Sequence, residues 1–347
     1  MNRIFYIHSN IVAISCYKTV KDALSQNDKV IIVLDRGCEW PYTFNNVNVY
    51  DFADLFEGDN RNRVALNNIK AFEDYLRFLR YKIHLNRVVN KIVEGQDFVF
   101  YLPTMALDMT AAFAYNKHCK GYYYVEEGTI SYRSLDMVVW QYPSRIKNMV
   151  KHLLRIDEHF PFEISHLFKG TISVTSEAFP WNKTGERIVN PIDGCVSDLK
   201  TSIPLCDDVL VTTWLVEDIE LIINSIDYTI KSILNKNKDS RIGIKFHPKA
   251  TTVNRYKVLM TIEYLNNEYD GRVTIIPNDV SIELMSLLYH PRLYSLLLLS
   301  SLILYGLLLK SSEGYLIDND DNTISITQIT TVEEYLRLCR IVNYKRL

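Results

Sequence analysis

The sequence predicts an α/β chain of two Rossmann-like domains facing each other across a cleft. Three observations carry this. The chain has 347 residues, more than one ordinary domain needs. Short apolar runs alternate with longer stretches of helical periodicity in both halves, the pattern of parallel β-α units. A span punctuated by Pro180, Pro191, Gly194 and Pro204 separates the two series.

Strands are expected in the first half at Ile4–Ile7, Val30–Leu34, Phe98–Leu102, Gly121–Val125 and Thr171–Thr175, with helices near Tyr17–Leu24, Arg63–Val93 and Thr110–Asn116. Gly170 to Asp208 reads as a junction rather than a packed element. In the second half, strands are expected at Val209–Thr213, Arg241–Phe246, Val273–Ile276, Tyr294–Leu299 and Gly314–Ile317. Helices are expected at Glu217–Leu234 and Val332–Val342. The domains expected are therefore 1–195, a linker 196–208, a second domain 209–328, and a closing helix in 329–347 that packs back toward the first domain.

Composition narrows the function classes. Hydrophobic residues make up 48% and charged residues 23%, and the formal net charge is -2, so no global field favours nucleic acid. Six cysteines occur without a C-x-x-C pair, and the nearest two, Cys195 and Cys206, are eleven residues apart. That is neither a zinc pattern nor a disulfide framework, and a reducing cytoplasm is expected. No secretory leader is read at Met1–Ser9, which starts a polar-flanked strand. The 23 tyrosines suit sugar handling, though A/T-rich coding explains them as simply. Leu293–Leu309 runs seventeen residues without a charge. A bilayer span needs about 20 apolar residues, and Ser295, Ser300, Ser301 and Gly306 interrupt this run, so it reads as a buried strand followed by a buried helix.

Three constellations sit at expected strand ends, where open α/β sheets bind ligands. Glu126 and Glu127 follow Gly121–Val125, and Gly128 permits a sharp turn. Like charges this close raise one pKa, which suits a general base; an acidic loop capping the next helix is the alternative. Lys245, His247 and Pro248 follow the strand at Arg241, a cation and an imidazole suited to an anionic oxygen. His290-Pro291 ends a helical stretch and lacks a basic partner two residues before it. Glu283 opens a helix after a strand, where a carboxylate can hold ribose hydroxyls. Ser300 and Ser301 precede another helical run, where hydroxyls and free N–H groups can bind an anion or cap the helix. Glu217 and Asp218, after Val209–Thr213, are rival bases. Asp318-Asn319-Asp320-Asp321 reads as a polar turn, not a metal motif.

The order acidic-acidic-Gly, Lys-x-His-Pro, Glu, Ser-Ser resembles that of the bacterial sialyltransferases. Tyr-x-Glu-Glu-Gly-Thr-x-Ser-Tyr at Tyr124–Tyr132 and Ile7-His8-Ser9-Asn10 look similar to glycosyltransferase family 52, the lipooligosaccharide sialyltransferases. The resemblance implies the GT-B architecture and inverting transfer of sialic acid from CMP-sialic acid to a glycan hydroxyl, with galactose-terminated acceptors expected, in bacterial lipopolysaccharide or capsule synthesis. By it, Glu126 and Glu127 supply the base; of the two, Glu127 is favoured because Gly128 directly after it allows the turn that exposes it, with Glu126 holding the loop. His247 meets the donor phosphate and serves as acid, Lys245 and Pro248 line the donor site, Glu283 holds the ribose, and Ser300 and Ser301 hold the phosphate. No cofactor or metal is expected, since the donor carries one phosphate. The partners expected are that donor, a glycan or glycolipid acceptor and a second copy of the chain. Peripheral contact with the cytoplasmic face of the inner membrane is also expected, through Arg145, Lys147, Lys151, His152 and Arg155. Two alternatives stand beside this reading: another CMP-sugar-dependent enzyme such as a Kdo transferase, and an inactive partner in glycan assembly.

Overall fold

The computed structural model describes residues 1–35, 38–55, 72–132, 162, 164–190, 195–200, 203–212, 219–247, 255–269, 271–277, 280–297, 299–308, 312–320 and 323–345. Two compact units divide between Lys200 and Thr201. Each is built on its own sheet, so the chain is α/β with two Rossmann-like parallel-sheet units.

The first unit holds β1 (Asn2–Ile7), α1 (Asn10–Ser25), β2 (Lys29–Leu34), β3 (Val47–Asp51), α2 (Phe52–Leu55), α3 (Phe72–Val93), β4 (Phe98–Leu102), α4 (Asp108–Ala114), β5 (Cys119–Val125), β6 (Phe168–Ser173) and β7 (Glu186–Val189). Its seven strands run β3-β2-β1-β4-β5-β6-β7, all parallel. The interior strands are apolar because both faces are covered: Ile4–Ile7, Val30–Val33 and Phe98, Phe100 and Leu102 are almost wholly buried. An aromatic ladder fixes their register. Phe5 stacks on Tyr101 at 4.2 Å, and Tyr101 on Tyr123 at 5.4 Å, and these residues are also paired along the strands. β1, β4 and β5 are thereby locked side by side, which sets where their carboxyl ends fall.

The second unit holds β8 (Asp208–Val211), α5 (Ile219–Lys236), β9 (Ile242–Lys245), α6 (Arg255–Glu268), β10 (Val273–Ile275), α7 (Ile282–Tyr289), β11 (Arg292–Leu296), α8 (Ser301–Leu308), β12 (Gly314–Asp320), β13 (Thr323–Ile329) and α9 (Val332–Lys345). Its sheet runs β10-β9-β8-β11-β12-β13, parallel except for the β12–β13 hairpin. Tyr294 stacks on Tyr315 at 4.7 Å across β11 and β12. Within the run read as a buried strand and helix, Leu293–Leu296 belongs to β11 and Ser301–Leu308 is α8, and among the described residues no helix is long and apolar enough to cross a membrane. His290 ends α7 in the left-handed conformation with φ 49°, which accounts for that His-Pro pair as a helix stop.

Three differences from the sequence reading stand out. β3, β7 and β13 were not expected, and each lies at the edge of its sheet. The junction at Gly170–Asp208 is largely packed structure. β7 extends the first sheet, and Gly170 allows it to approach, since a Cβ there would run into the Glu186 carbonyl. Residues beyond β7 also belong to the first unit: Asp198 accepts from Tyr17 at 2.5 Å, and Lys200 N–H donates to the Pro41 carbonyl at 2.9 Å. Finally, Asp318, Asn319 and Asp320 are strand residues. Asp320 pairs with Thr323 of β13, and Asp321 lies outside the described residues.

Candidate functional site

Each sheet has one topological switch point. In the first unit the strand order leaves β1 toward β2 and β3, then resumes with β4 on the other side of β1. In the second unit it leaves β8 toward β9 and β10, then resumes with β11. Helices that follow strands on the two sides of such a point cover opposite faces, so a crevice opens at the carboxyl ends between them.

At the first switch point, β5 ends at Val125 and the two glutamates diverge. Glu126 is fully buried and turns toward β6. Its Oε2 accepts the Val174 N–H at 2.8 Å, and its Oε1 accepts the Tyr132 hydroxyl. That hydroxyl also lies 2.9 Å from Thr175 Oγ1, and burial, with Glu126 beside it, pushes the Tyr132 phenol up. Glu127 turns the opposite way, toward β1. Its Oε2 lies 2.9 Å from His8 Nε2, off the line of a well-aligned hydrogen bond, with side-chain exposures of 14% and 5%. The Glu127 N–H donates to Ser131 Oγ at 3.1 Å. Gly128 then takes φ 131°, a conformation closed to most side chains, and a 3-10 turn follows at Thr129–Tyr132.

His8 follows β1 directly, so its side chain and that of Glu127 meet beyond the end of β4, the strand between them. Ser9 is the N-cap of α1 but makes no capping bond. Its hydroxyl and His8 Nδ1 are buried without partners. The sequence reading gave His8 no role. The signal was present: a polar side chain immediately after the apolar run Phe5–Ile7, the same rule that selected Glu126 and Glu127.

In the second unit, His247 is half-buried just past β9. Lys245, expected at a phosphate, is buried and donates to the carbonyls of Pro277, in a short contact, and Val280, at 2.9 Å. It thus braces the chain between β10 and α7. Ser281 caps α7, accepting the Leu284 N–H at 3.2 Å, and its hydroxyl donates to Glu283 Oε2 at 2.9 Å. Burial pushes the Glu283 carboxyl up, against the Ser281 hydroxyl and the nearby Lys245 charge. Across the switch point, the Ser300 N–H donates to Ser295 Oγ at 2.8 Å, while Ser300 Oγ accepts the Leu302 N–H at 3.3 Å. Ser301 begins α8. Leu297, at the end of β11, takes φ 64°, a costly conformation for a leucine that this turn imposes.

His247 and Ser300 follow β9 and β11, the strands flanking β8. The rival bases Glu217 and Asp218 follow β8 but lie outside the described residues, as do Pro248 and the basic stretch at Arg145–Arg155. Among the described residues no group of three or more His, Cys, Asp or Glu side chains is placed to hold a metal ion.

No family profile and no curated protein matches the sequence. Solved structures do match. They include a sialyltransferase from Photobacterium damsela, with TM-score 0.49 and 13% identity over 99% of this chain and 80% of that one. A UDP-GlcNAc 2-epimerase from Methanocaldococcus jannaschii, in complex with UDP-GlcNAc and UDP, gives TM-score 0.46 and 14% identity over 99% and 100%. Trehalose-6-phosphate synthase OtsA gives TM-score 0.37 and 10% identity over 85% and 78%.

Proposed function

We propose that the chain is a glycosyltransferase of GT-B arrangement that transfers sialic acid from CMP-sialic acid to a glycan hydroxyl with inversion. One observation carries the reading: each unit gathers polar side chains at its own switch point, and the two sets differ in kind. The first offers a carboxylate, Glu127, largely buried beside His8. The second offers His247, Ser300 and Ser301, with the half-buried Glu283 on the neighbouring helix. The first set suits deprotonation of a hydroxyl and the second a nucleoside monophosphate, and the order of the motifs resembles that of the bacterial sialyltransferases.

In this reading the CMP-sugar binds the second unit. Glu283 accepts hydrogen bonds from the ribose hydroxyls. Ser300 and Ser301, at the start of α8, and His247 stabilise the departing phosphate, where negative charge develops. Lys245 contributes by holding the carbonyls of Pro277 and Val280 and by its positive charge near Glu283. Glu127 removes the proton of the acceptor hydroxyl, which attacks the anomeric carbon from the face opposite the leaving phosphate. A well-placed base contributes roughly 10²–10⁴-fold. Asp218 and Glu217 are the rival bases, and Glu126 serves the loop.

The test is incubation of the purified protein with CMP-sialic acid and a panel of galactose-terminated glycans, with product read by mass spectrometry. Sialylated product supports the reading. Release of CMP from CMP-Kdo but not from CMP-sialic acid favours the Kdo transferase alternative. Tight CMP binding with no turnover of either sugar favours an inactive partner.

A further inference from the structure

We propose that His8 is a positioning residue for Glu127: its imidazole holds the carboxylate beyond the end of β4 with one oxygen directed away for the acceptor hydroxyl. This rests on the reading of Glu127 as the base.

The argument begins with topology. β1 and β5 are separated by β4, so their backbones lie about 10 Å apart at a strand spacing of about 4.8 Å. Two side chains leaving those strands meet only if both reach across the end of β4, and His8 Nε2 and Glu127 Oε2 do so at 2.9 Å. The aromatic ladder Phe5, Tyr101 and Tyr123 fixes the three strands beneath them. The proton between the two groups follows from their separation. An unprotonated Nε2 would set its lone pair against a carboxylate oxygen, so Nε2 carries hydrogen, facing Glu127 Oε2 at 2.9 Å but outside the angle of a formed hydrogen bond.

The other ring nitrogen shows that this histidine is not there for packing alone. Nδ1 is buried without a partner. The Tyr6 ring, tilted 6.4 Å away, does not serve it, because the Tyr6 hydroxyl donates to Asp35 at 2.5 Å. A buried polar atom left unsatisfied destabilises the fold, and a phenylalanine would fill the space without that cost. A histidine retained under such a penalty, with Nε2 on the one glutamate that does not brace the loop, fits a residue that acts through its partner. Glu127 is the more exposed of the two, with Oε2 buried; Oε1 is then the oxygen left for the substrate, with His8 behind Oε2.

The experiment compares His8→Phe and His8→Gln in the full chain. Glutamine places an amide N–H near the position of Nε2; phenylalanine places none. We expect His8→Phe to lower kcat at least tenfold, with donor KM and CMP affinity changed less than twofold and with Tm equal or higher. His8→Gln should recover kcat to within about threefold of wild type. On a Glu127→Gln background, His8→Phe should cost less than a further twofold, because the partner is already lost. Equal losses in the Phe and Gln variants, a fall in Tm that tracks kcat, or full multiplication of the two effects would overturn the proposal. Nitrogen-15 spectra of the histidine rings decide the pairing without any substrate. A proton on His8 Nε2, and loss of that preference in Glu127→Gln, are expected; a neutral Nδ1–H ring in the wild type overturns it. If the wild type transfers from no CMP-sugar, the sialyltransferase reading falls, while the ring spectra still decide the pair.

Discussion

Glu126 Oε2 accepts the backbone N–H of Val174 at 2.8 Å, tying the end of β5 to the chain that leaves β6. The bond is wholly buried, and its other oxygen holds Tyr132. Removing the carboxylate strands the buried Val174 N–H, costing about 1–3 kcal/mol, and leaves the Tyr132 hydroxyl with Thr175 Oγ1. Glu126→Ala should therefore lower Tm by several degrees in a thermal melt. CMP affinity, which the proposed function places in the other unit, should stay within twofold by calorimetry.

Glu127 and Gly128 make a contrasting pair of predictions. Glu127→Gln keeps shape and hydrogen-bonding capacity but removes the proton acceptor. Turnover should fall by roughly 10²-fold or more, with Tm and CMP affinity nearly intact. Near-normal turnover here, with loss in Asp218→Asn, would move the base to the region after β8. Gly128→Ala meets no atom within 4 Å, so its whole cost is the backbone at φ 131°, of order 1–3 kcal/mol. It should lower both Tm and turnover, because the turn it distorts aims Glu127.

Lys245 holds two carbonyls and should behave as a brace. Lys245→Met removes a charged donor from both, and hydrogen bonds to charged groups contribute roughly 1.5–3 kcal/mol each. A fall in Tm with faster hydrogen exchange at the Val280 N–H is expected. A variant of unchanged stability that loses only CMP affinity would return Lys245 to the phosphate.

Donor binding is tested at His247 and Ser300. His247→Ala should weaken CMP about ten- to a hundredfold, the effect of one charge-assisted bond of roughly 1.5–3 kcal/mol. Ser300→Ala also removes the acceptor for the Leu302 N–H, so its loss should appear in both affinity and Tm. Calorimetry that finds both variants binding CMP like the wild type would remove this site.

Glu283 gives a pH signature. Its carboxyl is raised in the folded chain by burial, so the folded state holds this proton more tightly than the unfolded state. Stability from this group is present below the unfolded carboxylate range and is lost as pH rises through the raised folded value. Glu283→Gln mimics the protonated form. Its Tm advantage over wild type should be absent near pH 3.5 and grow toward neutral pH. A constant difference across that range would show that the carboxyl is not desolvated. Glu283→Ala should in addition lose discrimination between ribose and deoxyribose forms of CMP.

The sequence by itself determined the two α/β units, the interior strands and the strand ends where polar side chains gather. It could do so because interior parallel strands are buried on both faces and read as unbroken apolar runs, such as Val30–Leu34 and Phe98–Leu102. β3, β7 and β13 escaped for the converse reason. Edge strands have neighbours on one side only, and Val-Asn-Val-Tyr-Asp, Glu-Arg-Ile-Val and Thr-Ile-Ser-Ile-Thr-Gln-Ile carry polar residues that look like loop. Residue types at the ends of β5, β9 and β11 were also legible, as was the preference for Glu127 over Glu126 from the glycine that follows it, but their contacts were not. Glu126 and Glu127 are chemically identical neighbours, and only the order β1-β4-β5-β6 sends one to Val174 and the other to His8. Lys245 reads as a cation for phosphate, and only the fold shows the carbonyls of Pro277 and Val280 beside it. His8 and Glu127 stand more than a hundred residues apart, and no local pattern pairs them. Strand order decides such contacts, because it sets which chain ends lie side by side, and strand order is fixed by the packing of the whole sheet.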